Sequence, residues 1–271
     1  MTRRLGLFAI AVVTALVAWG NGIRSAEAAG AFSDWAAVVV AGDFHSHDGG
    51  PSEAFDNARR DVSQALVGVG FSASNIRQFS VRPERYPDER LMISDPDLIG
   101  DKLAEVAATQ HGGCLVYFSS HGNPSGVLVG AHILSPAGLS LIVDQACGER
   151  PTVVIVSACY SGVFVPPLSR PDRMVLTAAR PDRSSFGCGS SDRYPYFDAC
   201  VIEVLPQAGD FADLGRRVQG CVAQKEKATG MAPPSEPQMF VGSQLKPLIA
   251  FYPFTHALAA GPALSKARHS P

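Results

Sequence analysis

Two apolar runs, each ending in a residue that can do chemistry, decide the fold: Cys114-Leu-Val-Tyr-Phe-Ser-Ser-His-Gly122 and Thr152-Val-Val-Ile-Val-Ser-Ala-Cys-Tyr-Ser-Gly162. Each begins with a short, almost entirely apolar stretch, which is typical of a strand buried on both faces of a parallel sheet. Further short runs predict four more strands, at residues 35–41, 76–81, 174–178 and 238–242.

Segments with apolar residues at helical spacing separate most of these runs and predict helices. They are residues 56–69, 98–108, 134–146, 197–205 and 211–227, whereas residues 83–96 are polar and rich in proline and predict a loop. Strands that alternate with helices indicate an α/β domain with a mostly parallel sheet covered on both faces. Such sheets bind ligands at the carboxyl ends of their strands.

Two of the predicted strands end in His121-Gly122 and in Ala158-Cys159. Taken alone, a cysteine at a strand end is usually a small buried hydrophobe, and a histidine there is usually structural. Together, at neighbouring strand ends, they predict a cysteine nucleophile and its base. The backbone N–H groups of Gly122 and Cys159 could form an oxyanion hole, and Gly162 would let the chain turn sharply away.

Composition excludes several classes of protein. The chain has 271 residues, 46% hydrophobic and 18% charged, and a formal net charge of −2. This balance is that of a globular protein, and it offers no basic excess with which to bind nucleic acid.

The first residues have the pattern of a signal peptide. Arg3 and Arg4 precede an apolar run that is too short to span a bilayer, and an Ala-Glu-Ala site follows at residues 26–28. We expect cleavage before Ala29, a periplasmic or secreted protein and no stable membrane anchor after cleavage; the alternative is an uncleaved N-terminal anchor. Residues 29–254 then form one domain, and residues 255–271 are expected to be a flexible tail.

Export affects the interpretation of the six cysteines, because an oxidising compartment favours disulfides. Two pairs are suggested by position: Cys114 with Cys147, each just before a predicted strand, and Cys200 with Cys221, on successive predicted helices. If Cys159 is a free catalytic thiol, the other five cannot all pair, so a second thiol must stay reduced.

The two strand ends also resemble a known family. Residues 116–122 are similar to the histidine motif of the legumain-like cysteine peptidases, relatives of caspases and gingipains, and residues 157–162 are similar to their nucleophile motif. Residues 177–188 resemble the stretch after the next strand, with its Ser-Ser pair and cysteine, and residues 38–42 match the opening strand. The chain thus looks like an exported member of bacterial type, and the resemblance covers about residues 36–205.

The resemblance implies a caspase-like three-layer sandwich whose mostly parallel central sheet has about six strands. It implies a cysteine endopeptidase that cleaves peptides or proteins through a thioester acyl-enzyme, with no cofactor and no metal. His121 would be the general base and acid, Cys159 the nucleophile, and Gly122 an oxyanion donor through its backbone.

The P1 residue of a substrate lies on the amino side of the cleaved bond. The family's pocket for its side chain is only partly matched by this sequence. Legumains bind Asn at P1 in a pocket of mixed charge, but Ser157 stands where the family has a Glu. The Ser-Ser pair corresponds to Ser184 and Ser185, and Asp192 or Asp198 would supply the pocket's Asp. The family's pocket also contains an Arg, with an Asn near it. The nearest candidates in this sequence are Arg59 and Asn57.

The charge of this pocket predicts its P1 residue, and three outcomes are open. If Asp192 or Asp198 points into the pocket, Arg or Lys at P1 is favoured, and if Arg183 points inward, Asp is favoured. If neither charge points inward, a neutral residue such as Asn fits. We expect the neutral or the basic case, because Arg183 can point to solvent.

Two other functions compete with the peptidase hypothesis. A caspase-fold protein that has lost turnover could be a binding module of the cell envelope, and the altered pocket keeps this alternative open. His45 and His47, with Asp43 and Asp48, could instead hold a metal for a hydrolase. A solvated loop that borders the cleft is the simpler interpretation of these four residues.

Overall fold

The structure is a computed structural model that describes residues 30–255. The strands are β1 (Ala36–Ala41), β2 (Ile76–Ser80), β3 (Met92–Ile93), β4 (Cys114–Ser119), β5 (Gly122–Asn123), β6 (Gly126–Val129), β7 (His132–Leu134), β8 (Thr152–Ser157), β9 (Arg173–Thr177) and β10 (Gln238–Val241). The helices are α1 (Ala54–Gly68), α2 (Pro96–Ala107), α3 (Pro136–Cys147), α4 (Val165–Leu168), α5 (Tyr196–Val204) and α6 (Phe211–Thr229).

The central sheet has seven strands in the order β10-β9-β8-β4-β1-β2-β3. All neighbours are parallel except the edge strand β10, which runs antiparallel to β9. Helices α1, α5 and α6 pack on one face of the sheet, and α2 and α3 pack on the other. This confirms the predicted caspase-like three-layer α/β fold, with one strand more than the six expected.

The alternation of side chains along the strands builds both layers of the core. In β4, Leu115 and Tyr117 face α1, α5 and α6, whereas Val116 and Phe118 face α2 and α3. Every residue of β1, β4 and β8 is buried, as expected for strands covered on both faces.

Four short strands and one short helix were not predicted. Strand β3 has only two residues and lies within the segment predicted to be a loop, where it pairs with Phe79 and Ser80 at the sheet edge. Strands β5, β6 and β7 form a small separate antiparallel sheet that follows His121 directly. Helix α4 is a single turn after the nucleophile motif. Elements this short contain too few residues to show a periodicity.

Both suggested disulfides are present. Cys114 at the start of β4 is bonded to Cys147 at the end of α3, and Cys200 of α5 is bonded to Cys221 of α6. Cys159 and Cys188 remain as free thiols.

The ends of the chain fall outside this description. The predicted signal peptide, residues 1–28, and the predicted tail, apart from Thr255, lie outside the described residues. Of the helices within residues 30–255, none is both long enough and apolar enough to cross a membrane.

Candidate active site

The register of three neighbouring strands brings three functional side chains to one edge of the sheet. Ala41 of β1 pairs with Ser119 of β4, which pairs with Ser157 of β8. Asp43, His121 and Cys159 each stand two residues beyond this row. All three line one open cleft of about 740 Å³ at the carboxyl ends of the strands. The structure therefore brings the predicted nucleophile and base into the same cleft.

The orientation of His121 is set by the loop after β1. Its Nε2 lies 3.0 Å from the carbonyl oxygen of His45, and because a carbonyl can only accept, Nε2 must carry the proton. Nδ1 is then the unprotonated nitrogen, free to accept a proton. The ring also packs edge-on against Phe55, with 5.0 Å between the ring centroids.

A buried carboxylate stands behind the imidazole. Asp43 is 5% exposed, and its Oδ2 lies 3.9 Å from Nε2 of His121. Its Oδ1 accepts hydrogen bonds from the backbone N–H of Phe44 at 2.7 Å and from Nδ1 of His45 at 2.8 Å. The carboxylate is thus close enough to interact electrostatically with an imidazolium at this position.

The Cys159 thiol is held against the loop of residues 184–192. The backbone N–H of Ser185 donates to its Sγ at 3.2 Å. Burial raises the pKa of the Cys159 thiol, while hydrogen bonds from the Ser185 backbone and the Ser184 side chain act in the opposite direction. With a raised pKa the resting group is the thiol, so it needs a base to become the nucleophilic thiolate.

The turn after the nucleophile is made differently from the prediction. Tyr160, not Gly162, has the left-handed conformation, with φ 58°, and its N–H donates to the carbonyl oxygen of Arg183 at 2.8 Å. Gly162 is needed for a close approach instead, since an added Cβ would lie 2.5 Å from the ring of Pro181. The turn thereby fixes Cys159 against the segment that carries the Ser-Ser pair.

Gly122 lies directly against the backbone of Cys159. A Cβ added to Gly122 would lie 2.5 Å from the carbonyl oxygen of Cys159, so only glycine fits there. The Leu128 N–H donates to the His121 carbonyl at 2.9 Å, which makes those two residues a hydrogen-bonded pair of the hairpin. The next pair, Gly122 with Val127, is then a non-hydrogen-bonded pair of the antiparallel hairpin. The Gly122 N–H therefore makes no hydrogen bond within the hairpin.

Three of the four residues predicted to bind substrate line the cleft. Ser184, Ser185 and Asp192 belong to the 184–192 loop, which faces the loop of residues 43–52. The two loops are joined by a hydrogen bond from the His47 N–H to the Cys188 carbonyl oxygen, at 3.1 Å. Phe186, Tyr196 and Met231 add apolar surface to the same cleft.

Ser157, the fourth, lies elsewhere than predicted. It is 1% exposed, does not line the open cleft, and donates its hydroxyl to Oδ2 of Asp198 at 2.6 Å. Asp198, the alternative pocket carboxylate, is fully buried and also accepts from the hydroxyls of Ser119 and Tyr117. These side chains follow the core-facing alternation of β4 and β8, so they tie the strand ends to α5 inside the protein.

The Arg and the Asn considered for the pocket also lie outside the cleft. Arg59 is fully buried and pairs with Glu89 at 2.7 Å, and Asn57 donates to the Arg193 carbonyl oxygen at 3.2 Å. Within residues 30–255 no three His, Cys, Asp or Glu side chains stand close enough to hold a metal ion. His45 and Asp43, weighed as metal ligands, bond to each other instead.

Comparison with known proteins gives a family match for the part of the chain that carries these residues. Residues 93–210, which include His121, Gly122, Cys159 and Asp192, match the sequence model of the Peptidase C13 family, the legumain family. The chain is a cysteine-type peptidase whose sequence is similar to the legumains. No curated protein in the comparison matches the peptidase in sequence.

The peptidase shares its fold with a solved caspase. Caspase-1 from Spodoptera frugiperda is 15% identical and superposes with a TM-score of 0.56, over 79% of this chain and 88% of that one. At this identity the likeness is one of fold.

The sequence did not reveal how the base is oriented. Asp43 and the His45 carbonyl hold His121 through contacts between residues about 76 positions apart, and a backbone carbonyl has no signature in sequence. The available signal was the position of Asp43 just after β1. If β1 is taken as the neighbour of β4, its end must lie beside that of the histidine strand.

Proposed function

We propose that the peptidase is an endopeptidase that cleaves through a thioester acyl-enzyme on Cys159, with His121 as its base. The observation that carries this proposal is the hydrogen bond from Nε2 of His121 to the His45 carbonyl. It fixes the tautomer in which Nδ1 can accept the thiol proton, in a cleft that both side chains line.

In the first half-reaction, Nδ1 of His121 takes the proton from the Cys159 thiol as Sγ attacks the carbonyl carbon of the peptide. The carbonyl oxygen becomes negatively charged, and the N–H groups of Gly122 and Cys159 stabilise it. The C–N bond then breaks, and the imidazolium gives its proton to the leaving amine. The acyl group is left on Sγ as a thioester.

In the second half-reaction, water attacks the thioester and His121 accepts a proton from it. The C–S bond breaks, the carboxylic acid product leaves, and the proton returns to the thiol. Asp43 acts on His121 rather than on substrate: its charge stabilises the imidazolium in both halves.

The test is the activity of Cys159→Ala and His121→Ala on a mixed peptide library. Each change should lower the rate by several orders of magnitude while the domain stays folded, because either loss removes the nucleophile–base pair. Cys188→Ala is the matched control, since it removes the second free thiol of the same cleft. Turnover by a folded Cys159→Ala protein would refute the mechanism.

We further propose that the peptidase acts outside the cytoplasm. The support is the signal-peptide pattern of residues 1–28 together with two disulfides in the domain, which form and persist in oxidising compartments.

A further inference from the structure

The cleft has an unbalanced charge. Its lining includes the carboxylates of Asp43 and Asp192 and three histidines, and these residues, all in the described part of the chain, include no lysine or arginine. The Asp43 carboxylate is hydrogen-bonded to His45 and lies 3.9 Å from Nε2 of His121. Asp192 is therefore the carboxylate left to face a ligand.

Within residues 30–255, the Asp192 carboxylate accepts one hydrogen bond and has no cationic partner. Its Oδ2 accepts the backbone N–H of Gly189 at 2.8 Å, which orients the carboxylate without neutralising it. Among residues 30–255, no Lys, Arg or His nitrogen lies within 4.0 Å of its oxygens. An unpaired carboxylate in a partly enclosed cleft favours a cation as its ligand.

The arginines that flank the two cleft loops are paired elsewhere. Arg82 pairs with Glu53 and lies over the Phe44 ring, Arg183 pairs with Asp182, and Arg193 pairs with Asp61. The Lys225 ammonium lies over the ring of Tyr196, 5.5 Å from its centroid. The inward Arg183 that would have favoured an acidic P1 residue is not observed.

The position of Asp192 relative to Cys159 suits a long side chain, because the two groups contact the same loop at different points. The Ser185 N–H donates to Sγ of Cys159 at 3.2 Å. The Gly189 N–H, four residues further along the loop, donates to Oδ2 of Asp192 at 2.8 Å.

The walls between them are apolar. An added Cβ at Gly187 would lie 2.4 Å from the ring of Tyr196, so the loop packs flat on that ring. Phe186 and Met231 line the same cleft. Such walls can cover the methylene groups of a side chain whose charged end reaches Asp192.

We propose that Asp192 is the specificity residue of the P1 pocket and that the peptidase cleaves after Arg or Lys. This rests on the proposed function, because it assigns a substrate class to the same cleft. It departs from the Asn preference that the family resemblance implies. Ser157 replaces the family's Glu and bonds to Asp198 in the core, and no arginine of residues 30–255 lines the pocket.

The test compares kcat/KM for peptides that differ only at P1, with Arg, Lys, Asn or Asp. Arg and Lys peptides should be cleaved fastest and the Asp peptide slowest. Asp192→Asn, which keeps an oxygen for the Gly189 N–H, should lower the Arg and Lys values roughly 10- to 100-fold. The Asn peptide should change by less than about threefold, because it makes no charge pair. Asp192→Lys should raise cleavage after Asp.

Asp48→Asn is the matched control, since it removes the same charge from the opposite loop at a position that does not line the cleft. It should leave the P1 order unchanged. Faster cleavage after Asn than after Arg, or an equal loss for all peptides in Asp192→Asn, would overturn the inference.

Binding separates this inference from the proposed mechanism. With Cys159→Ala, which cannot turn over, calorimetry should show tighter binding of the Arg peptide than of the Asn peptide, and Asp192→Asn should abolish the difference. Selective binding of the Arg peptide by Cys159→Ala, together with a wild-type protein that cleaves no peptide, would refute the mechanism but keep the P1 assignment. Efficient cleavage after Asn alone would refute the P1 assignment but keep the mechanism.

Discussion

The buried cluster around Asp198 makes the stability of the peptidase depend on pH, and Asp198→Asn should remove that dependence. The carboxylate is fully buried and accepts from the hydroxyls of Tyr117, Ser119 and Ser157. Burial raises its pKa to about 6, although the hydrogen bonds from these hydroxyls act in the opposite direction.

The magnitude follows from the shift. A carboxyl of this type has a pKa of about 3.9 in an unfolded chain, so the shift is about two pH units, or about 3 kcal/mol. The folded state holds this proton more tightly than the unfolded chain does. Its contribution to the free energy of unfolding is therefore complete below about pH 4 and is lost as the pH rises to about 6.

The assay is urea unfolding of the wild type and of Asp198→Asn at several pH values between 4 and 7. The free energy of unfolding of the variant, relative to the wild type, should rise by about 2 kcal/mol across this range, because part of the effect lies below pH 4. Asp101→Asn, at an exposed position of α2, should follow the wild type throughout. A difference between Asp198→Asn and wild type that stays constant with pH would refute this account of the cluster.

Three further predictions concern the rest of the chain. Replacing both Cys114 and Cys147 by Ala, which opens a link across 33 positions, should lower the free energy of unfolding by roughly 3–4 kcal/mol in urea melts; an unchanged midpoint would contradict this. Gly122→Ala should lower kcat about 100-fold because its Cβ collides with the Cys159 carbonyl, whereas Gly68→Ala, with open space around it, should not; equal activity of the two variants would exclude the collision. Sequencing the protein from its native host should give a first residue near Ala29, and an intact Met1 on a cytoplasmic chain would exclude export.

The fold could be predicted because its main elements are long enough to show their pattern. The runs at β1, β4 and β8 are apolar throughout, and helices α1 and α6 carry apolar residues at helical spacing. Strand β3 and the small sheet after His121 could not be predicted this way, because two to four residues show no period and depend on their partners.

The sequence predicted the part of the site that depends on where the strands end. His121 and Cys159 lie in the same cleft because β4 and β8 are neighbouring parallel strands that pair in register. The direction of Ser157 depends on the alternation within β8, which places it on the same core-facing side as Val153 and Ile155. The family position suggested a role in binding substrate, but the pleat turns this hydroxyl to Asp198.

The central claim is that Cys159 carries the acyl group and that His121 makes its attack possible. The most direct measurement is rapid acid quenching of the peptidase during turnover of a peptide ester, followed by mass spectrometry of its proteolytic fragments. The account predicts an acyl group on the fragment that contains Cys159, formed much more slowly in His121→Ala and unchanged in Cys188→Ala. An acyl group found on Cys188 instead, or formed on Cys159 equally fast without His121, would contradict it.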